Sequence, residues 1–182
     1  MTKKLLVALF ALSLTAGAFA ADNTDPEVGG AAMYPTKTIV QNASASPDLT
    51  TLVAAVKAAG LVDTLSDAGP FTVFAPTNEA FAKLPSGTVD TLVKPENKGA
   101  LTRILTYHVV AGNVSAGELV KLIEAGGGKA TLKTVNGENL TASLKGKSVV
   151  LTDEKGGTSM VTIADVYQSN GVVHVIDTVL MP

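Results

Sequence analysis

The stretch Gly69-Pro70-Phe71-Thr72-Val73-Phe74-Ala75-Pro76-Thr77-Asn78-Glu79-Ala80-Phe81 admits few backbone solutions. Gly-Pro marks a turn, and the β-branched and aromatic residues after it read as a short strand. Pro76 cannot donate to a sheet ladder and breaks that strand. Thr77 is then placed to cap a helix, with Glu79 favourable at its positive end. Pro85-Ser86-Gly87 stops the helix, which is expected to run through Leu84.

Upstream, Thr38-Ile39-Val40-Gln41 has capping-box spacing and predicts a short helix. Ser46-Pro47-Asp48 supplies an N-cap, a proline at the first helical position and an early carboxylate. Leu49, Leu52, Val53 and Val56 follow at i, i+3, i+4 and i+7, one apolar stripe, and Gly60 can end that helix in the left-handed conformation. Leu101, Ile104, Leu105 and His108 repeat the helical spacing, while residues 107–110 have strand-like content, so the change should fall near Thr106. Ser115-Ala116-Gly117-Glu118 is a second capping box, opening a helix with Leu119, Leu122 and Ile123 on its buried face and Gly126-Gly127-Gly128 at its end.

From Lys129 the apolar period falls to two. Leu132 and Thr134 lead into Asn136-Gly137, a type I′ hairpin signal, followed by Leu140, Ala142 and Leu144. Residues 147–152, 159–164, 172–175 and 178–180 read as further strands. Helices come first and a strand meander follows, which predicts an α+β fold rather than alternating βαβ units.

The amino terminus is read separately. Lys3 and Lys4 precede an apolar run over residues 5–14, and Ala18-Phe19-Ala20 has the small-x-small pattern of a signal-peptide cleavage site. Residues 1–20 are therefore expected to be a signal peptide, and residues 21–37, rich in Gly, Asp and Pro, a flexible lead. The apolar run is too short to span a bilayer. The chain is expected to be exported, periplasmic or extracellular. The absence of cysteine excludes disulfides, a lipidated cysteine and thiol chemistry. A net charge of -2 with a single arginine, Arg103, leaves no basic stripe for nucleic acid, and no lysine-rich amphipathic helix argues for a membrane surface.

The two histidines, His108 and His174, both lie in apolar segments. Their spacing and surroundings lack a metal-binding pattern, so no metal or cofactor is expected. A triad of one histidine with Asp177 and a serine is the alternative, but no Gly-x-Ser-x-Gly elbow occurs. Buried rings satisfied by hydrogen bonds are the simpler reading, because an unpaired ring nitrogen costs about 1–3 kcal/mol.

Three segments in order resemble the fasciclin (FAS1) domain family. These are Gly69 to Phe81, Ile104-Leu105-Thr106-Tyr107-His108-Val109-Val110, and Asn170-Gly171-Val172-Val173-His174-Val175-Ile176-Asp177. The likeness spans residues 38–182 as one domain and implies a compact β-sandwich wrapped by helices. It also implies a non-catalytic module that binds a cell-surface or matrix protein or polysaccharide, with self-association or a multivalent partner supplying avidity. In animal members the Tyr-His motif is linked to integrin recognition, which carried over implicates Tyr107 and His108 with Leu105, Val109 and Val110 around them. A second such motif, Asp-Ile, is matched by Asp165 with Val166 in place of isoleucine. The competing expectation is a periplasmic binding protein for a small molecule or glycan fragment. The chain's low aromatic content, 4%, argues against it, since sugar sites commonly stack on aromatic rings.

Overall fold

The computed structural model describes residues 25–182; the expected signal peptide and its cleavage site lie outside the described residues. Within residues 21–37, expected to be a flexible lead, β1 (Glu27–Val28) and β2 (Ala31–Ala32) pair as a small hairpin. Val28 and Met33 are buried in the main core, and the Ser46 hydroxyl donates to the Val28 carbonyl at 2.8 Å. Two apolar side chains in a Gly-rich segment suffice to dock it, although they make no periodic pattern.

The first capping box forms as read. Thr38 accepts from the Gln41 amide and the Gln41 side chain returns to the Thr38 amide, opening α1 (Ile39–Ala45). Ser46 does not cap with its side chain, because its hydroxyl is committed to Val28. A 3-10 turn over Pro47–Leu49 leads into α2 (Thr50–Ala59), which buries Leu52, Val53 and Val56 and ends on Gly60 with φ 72°. Then come α3 (Val62–Ser66), β3 (Phe71–Pro76) and α4 (Asn78–Ala82), the last capped by Thr77 and ending short of Leu84. They are followed by α5 (Thr88–Leu92) and α6 (Lys98–Tyr107). Helix α6 runs to Tyr107, and only at Val109 does β4 (Val109–Ala111) begin.

Helix α7 (Ala116–Ala125) carries the second capping box and buries Leu119 and Ile123. Leu122, expected on the same face, is exposed. The rest is β5 (Lys129–Lys133), β6 (Asn139–Lys145), β7 (Ser148–Thr152), β8 (Thr158–Gln168) and β9 (Gly171–Ile176). The β5–β6 connection is not type I′, which requires positive φ at both central residues. Gly137 (φ 91°) has positive φ and Asn136 does not; its side chain instead accepts from the Glu138 amide at 3.0 Å. Residues 178–180 form no strand; their backbone is held by side chains described below.

The seven strands β3–β9 make one mixed sheet in the order β4-β3-β9-β8-β7-β6-β5, with β3 and β9 parallel. A bridge between Val110 and Thr134, and the Val135 amide donating to Val109 at 2.8 Å, bring β4 against β5. The sheet thus curls nearly closed, giving the expected α+β architecture of strands and helices. One core lies between the helices and the β3/β9 region, built on Leu52, Val56, Leu105, Val73 and Val175. A second fills the curl, built on Phe74, Tyr107, Leu140, Leu151, Ile176 and Leu180.

Candidate functional site

The sequence singles out Tyr107, His108, Asp165 and Val166, and the structure places each against the β3/β9 centre of the sheet. Tyr107 is the last residue of α6 and is wholly buried. Its hydroxyl donates to the Asn139 carbonyl at 2.8 Å, and burial pushes its phenol up to about 12. A large ring with one polar tip is satisfied here by one backbone acceptor.

His108 caps the same helix. Its Nε2 accepts the Leu180 amide at 3.0 Å, so Nδ1 carries the proton and donates to the Ile104 carbonyl at 2.8 Å. Burial lowers its pKa to about 4, so the ring is neutral at pH 7. His174, on β9, holds the opposite tautomer. Its Nδ1 accepts the Asp165 amide at 3.2 Å and its Nε2 donates to the Val114 carbonyl at 2.9 Å. Desolvation lowers its pKa as well.

Asp165 sits in the irregular part of β8, where the register to β9 shifts between Ile163 and Val166. It has φ 57°, and its Oδ1 accepts the Ala116 amide, the first of helix α7, at 2.7 Å. That amide is one of the donors a helix start leaves unpaired. Val166 is fully buried in the helix-side core. Tyr107, His108 and Val166 therefore present essentially no surface, and Asp165 presents part of one beside α7.

The arrangement leaves no histidine free for acid–base work, because all four ring nitrogens are spent on backbone groups. Asp177, the third member of the triad considered above, accepts instead from the Ser159 hydroxyl at 3.3 Å and the Met160 amide at 2.9 Å. Among the described residues no group of three His, Asp or Glu side chains could hold a metal. No described helix is long and apolar enough to cross a membrane.

Two further buried polar residues tie distant segments together. Asp153 accepts the Met181 amide at 3.0 Å while closing its own turn through the Lys155 and Gly157 amides. Asn170 accepts from the Ile39 amide at 3.1 Å and donates to the Leu65 and Asp67 carbonyls at 2.8 and 2.9 Å. Both are polar, buried residues at turns, and sequence reasoning missed their roles: an Asp opening a Glu-Lys-Gly-Gly turn or an Asn before glycine looks like ordinary turn chemistry.

The comparisons with known proteins agree with this geometry. A family profile described as the Fasciclin domain matches residues 47–182. The chain belongs to the fasciclin domain family. It is 46% identical over 176 residues to Protein sll1483 of Synechocystis sp., covering 95% of this chain and 91% of that one. It is 38% identical over 171 residues to the cell surface glycolipoprotein MPB83 of Mycobacterium bovis, covering 90% and 69%. In fold it is similar to the FAS1 domain pair of the insect cell adhesion molecule fasciclin I. The TM-score is 0.72 at 22% identity, covering 81% of this chain and 52% of that one. The FAS1 fold expected from the three sequence segments is thereby established.

Proposed function

We propose that this fasciclin-domain chain is an exported, non-catalytic adhesion module that binds cell-surface or extracellular-matrix material. The observation that carries the reading is membership of a family whose relatives include a cell surface glycolipoprotein and, in fold, a cell adhesion molecule. The histidine geometry supports the non-catalytic part, since neither ring can serve as a base without breaking a backbone bond. A small-ligand role inside the core has little room. The apolar space between α1, α2, α6 and β3 amounts to about 30 Å³, one or two waters' worth. Burial of Tyr107, His108 and Val166 moves the expected contact surface away from those side chains.

The test is binding of the chain from Ala21 to Pro182 to intact producer cells and to their isolated matrix polysaccharide. Saturable binding to either is expected. Absence of binding to both overturns the adhesion reading.

A further inference from the structure

We infer that the cleft between α1 and α3 is a binding site for an acidic polysaccharide, an inference that rests on the adhesion reading and names its contact surface. This cleft is a shallow depression of about 590 Å³, largely open to solvent. A shallow, open groove suits a polymer lying along the surface better than a small molecule that must be enclosed. It is lined by the apolar Val40 and Val62 and by Lys37, Thr38, Gln41, Ser44 and Ser66. No carboxylate is among its lining residues, although the chain as a whole is acidic.

The donor chemistry of the lining suits hydroxyls and carboxylates. Lys37 is exposed and makes no ion pair among the described residues, where the bridges are Lys83–Asp177 and Arg103–Glu138. The Gln41 side-chain oxygen is taken by the Thr38 amide at 2.9 Å, which leaves its NH₂ group to offer protons. A sugar acid presents ring hydroxyls to such amide and hydroxyl groups and a carboxylate to the ammonium.

Beside the cleft, next to Lys37, stands an aromatic ring. Tyr34 is 43% exposed, one of three tyrosines in a chain without tryptophan, and the Lys37 ammonium lies 4.5 Å from its ring centre. Of the three tyrosines, Tyr34 and Tyr167 are exposed, and Tyr34 is the one that contacts a residue lining the cleft; stacking on a sugar face is the chemistry its ring offers. The platform is also rigidly mounted. Buried Asn42 accepts from the Tyr34 amide at 3.1 Å, donates to the Tyr34 carbonyl at 2.8 Å and bonds Gln168. The Ser169 amide donates to the Lys37 carbonyl at 3.0 Å. Residues 34–37 are thus anchored to β8 and α1, which lowers the ordering cost of binding.

The test is titration of the chain from Ala21 to Pro182 with polygalacturonate, and with neutral dextran as its uncharged counterpart. Saturable binding to polygalacturonate alone, weakened by added salt, is expected. Tyr34→Ala and Lys37→Gln should each weaken it about tenfold or more, as loss of a charge-assisted or stacking contact does. Lys147→Gln, at an exposed turn lysine elsewhere, should leave it unchanged. Circular dichroism checks that each variant is folded. Failure to bind polygalacturonate, or equal binding by the folded Lys37→Gln variant, overturns the cleft assignment. If the chain still binds whole cells in that case, the adhesion reading stands and its surface lies elsewhere.

Discussion

The Leu180 amide donates to His108 Nε2 at 3.0 Å, a bond only the neutral imidazole can accept. Because Nδ1 donates at the same time to Ile104, one ring links the end of α6 to the segment after β9. His174 does the equivalent between the β8 bulge and the loop before α7, accepting from Asp165 and donating to Val114. The two histidines are internal staples, and their protonation state is part of the fold.

Acid should therefore weaken the protein before its carboxylates titrate. In the unfolded chain a histidine protonates near pH 6.5. In the fold, burial holds His108 near 4 and holds His174 below the usual histidine range. Between those limits the unfolded state binds more protons, so stability falls as pH drops from about 6.5 towards 4. His108 alone accounts for a loss on the order of 3 kcal/mol once the pH is below its folded value. Urea unfolding from pH 7.5 to 4.5 should show the midpoint declining from about pH 6.5 downward. A flat profile over that range would refute the neutral, bonded assignment of both rings.

Tyr107→Phe separates packing from hydrogen bonding at the family's Tyr-His motif. The phenyl ring fills the same space in the strand-side core, but the Asn139 carbonyl loses its partner. The expected cost is about 1–2 kcal/mol in chemical denaturation. Binding to cells or polysaccharide should not change, since the ring is buried. Loss of binding in a folded Tyr107→Phe protein would return the motif to the contact surface.

Helix starts and buried stripes were legible in the sequence because they depend on neighbours. Both capping boxes form, and the stripe Leu49, Leu52, Val53, Val56 is buried before Gly60 in the left-handed conformation. What was not legible depends on partners distant in the chain. Val28 and Met33 dock a segment that composition alone makes look loose. Residues 178–180 have strand-like side chains, yet their amides are claimed by Ser159 and His108 rather than by a neighbouring strand. At the candidate site the buried, hydrogen-bonded state of His108 and His174 was legible from their apolar segments, whereas the burial of Tyr107 and Val166 and the capping role of Asp165 depend on tertiary neighbours. Tyr34 and Lys37, at the proposed cleft, carry no pattern at all in the sequence.

Asp165 is expected to act as a helix cap from another element. Its carboxylate takes the Ala116 amide, and its φ of 57° is one that aspartate and asparagine tolerate better than alanine. Asp165→Asn keeps an acceptor and that tolerance, and should cost well under about 1 kcal/mol. Asp165→Ala loses both and should cost about 1–2 kcal/mol, the range for a lost cap. Thermal unfolding of the two variants distinguishes them. Equal stability would show that the carboxylate does not hold α7.

Two glycine-to-alanine changes should have opposite signs, and the contrast tests the sheet's centre. Gly171 opens β9 opposite Phe71 of β3, in the parallel pair at the heart of the sheet. A Cβ there would lie 2.0 Å from the Phe71 carbonyl oxygen, and backbone on a central strand cannot give way by more than an ångström without breaking the ladder. The neighbouring Asn170 would be displaced with it, together with its three bonds to α1 and the end of α3. Gly171→Ala should therefore cost about 3 kcal/mol or more, or prevent folding. Gly99, in the first turn of α6, lies in helical backbone, and a methyl group added there would meet nothing within 4 Å. Gly99→Ala should stabilise by about 0.4–1 kcal/mol, mainly by restricting the unfolded chain. Urea midpoints of the two variants give the answer. If Gly171→Ala were tolerated as well as Gly99→Ala, the close approach of β3 and β9, and with it the placement of His174, would be wrong.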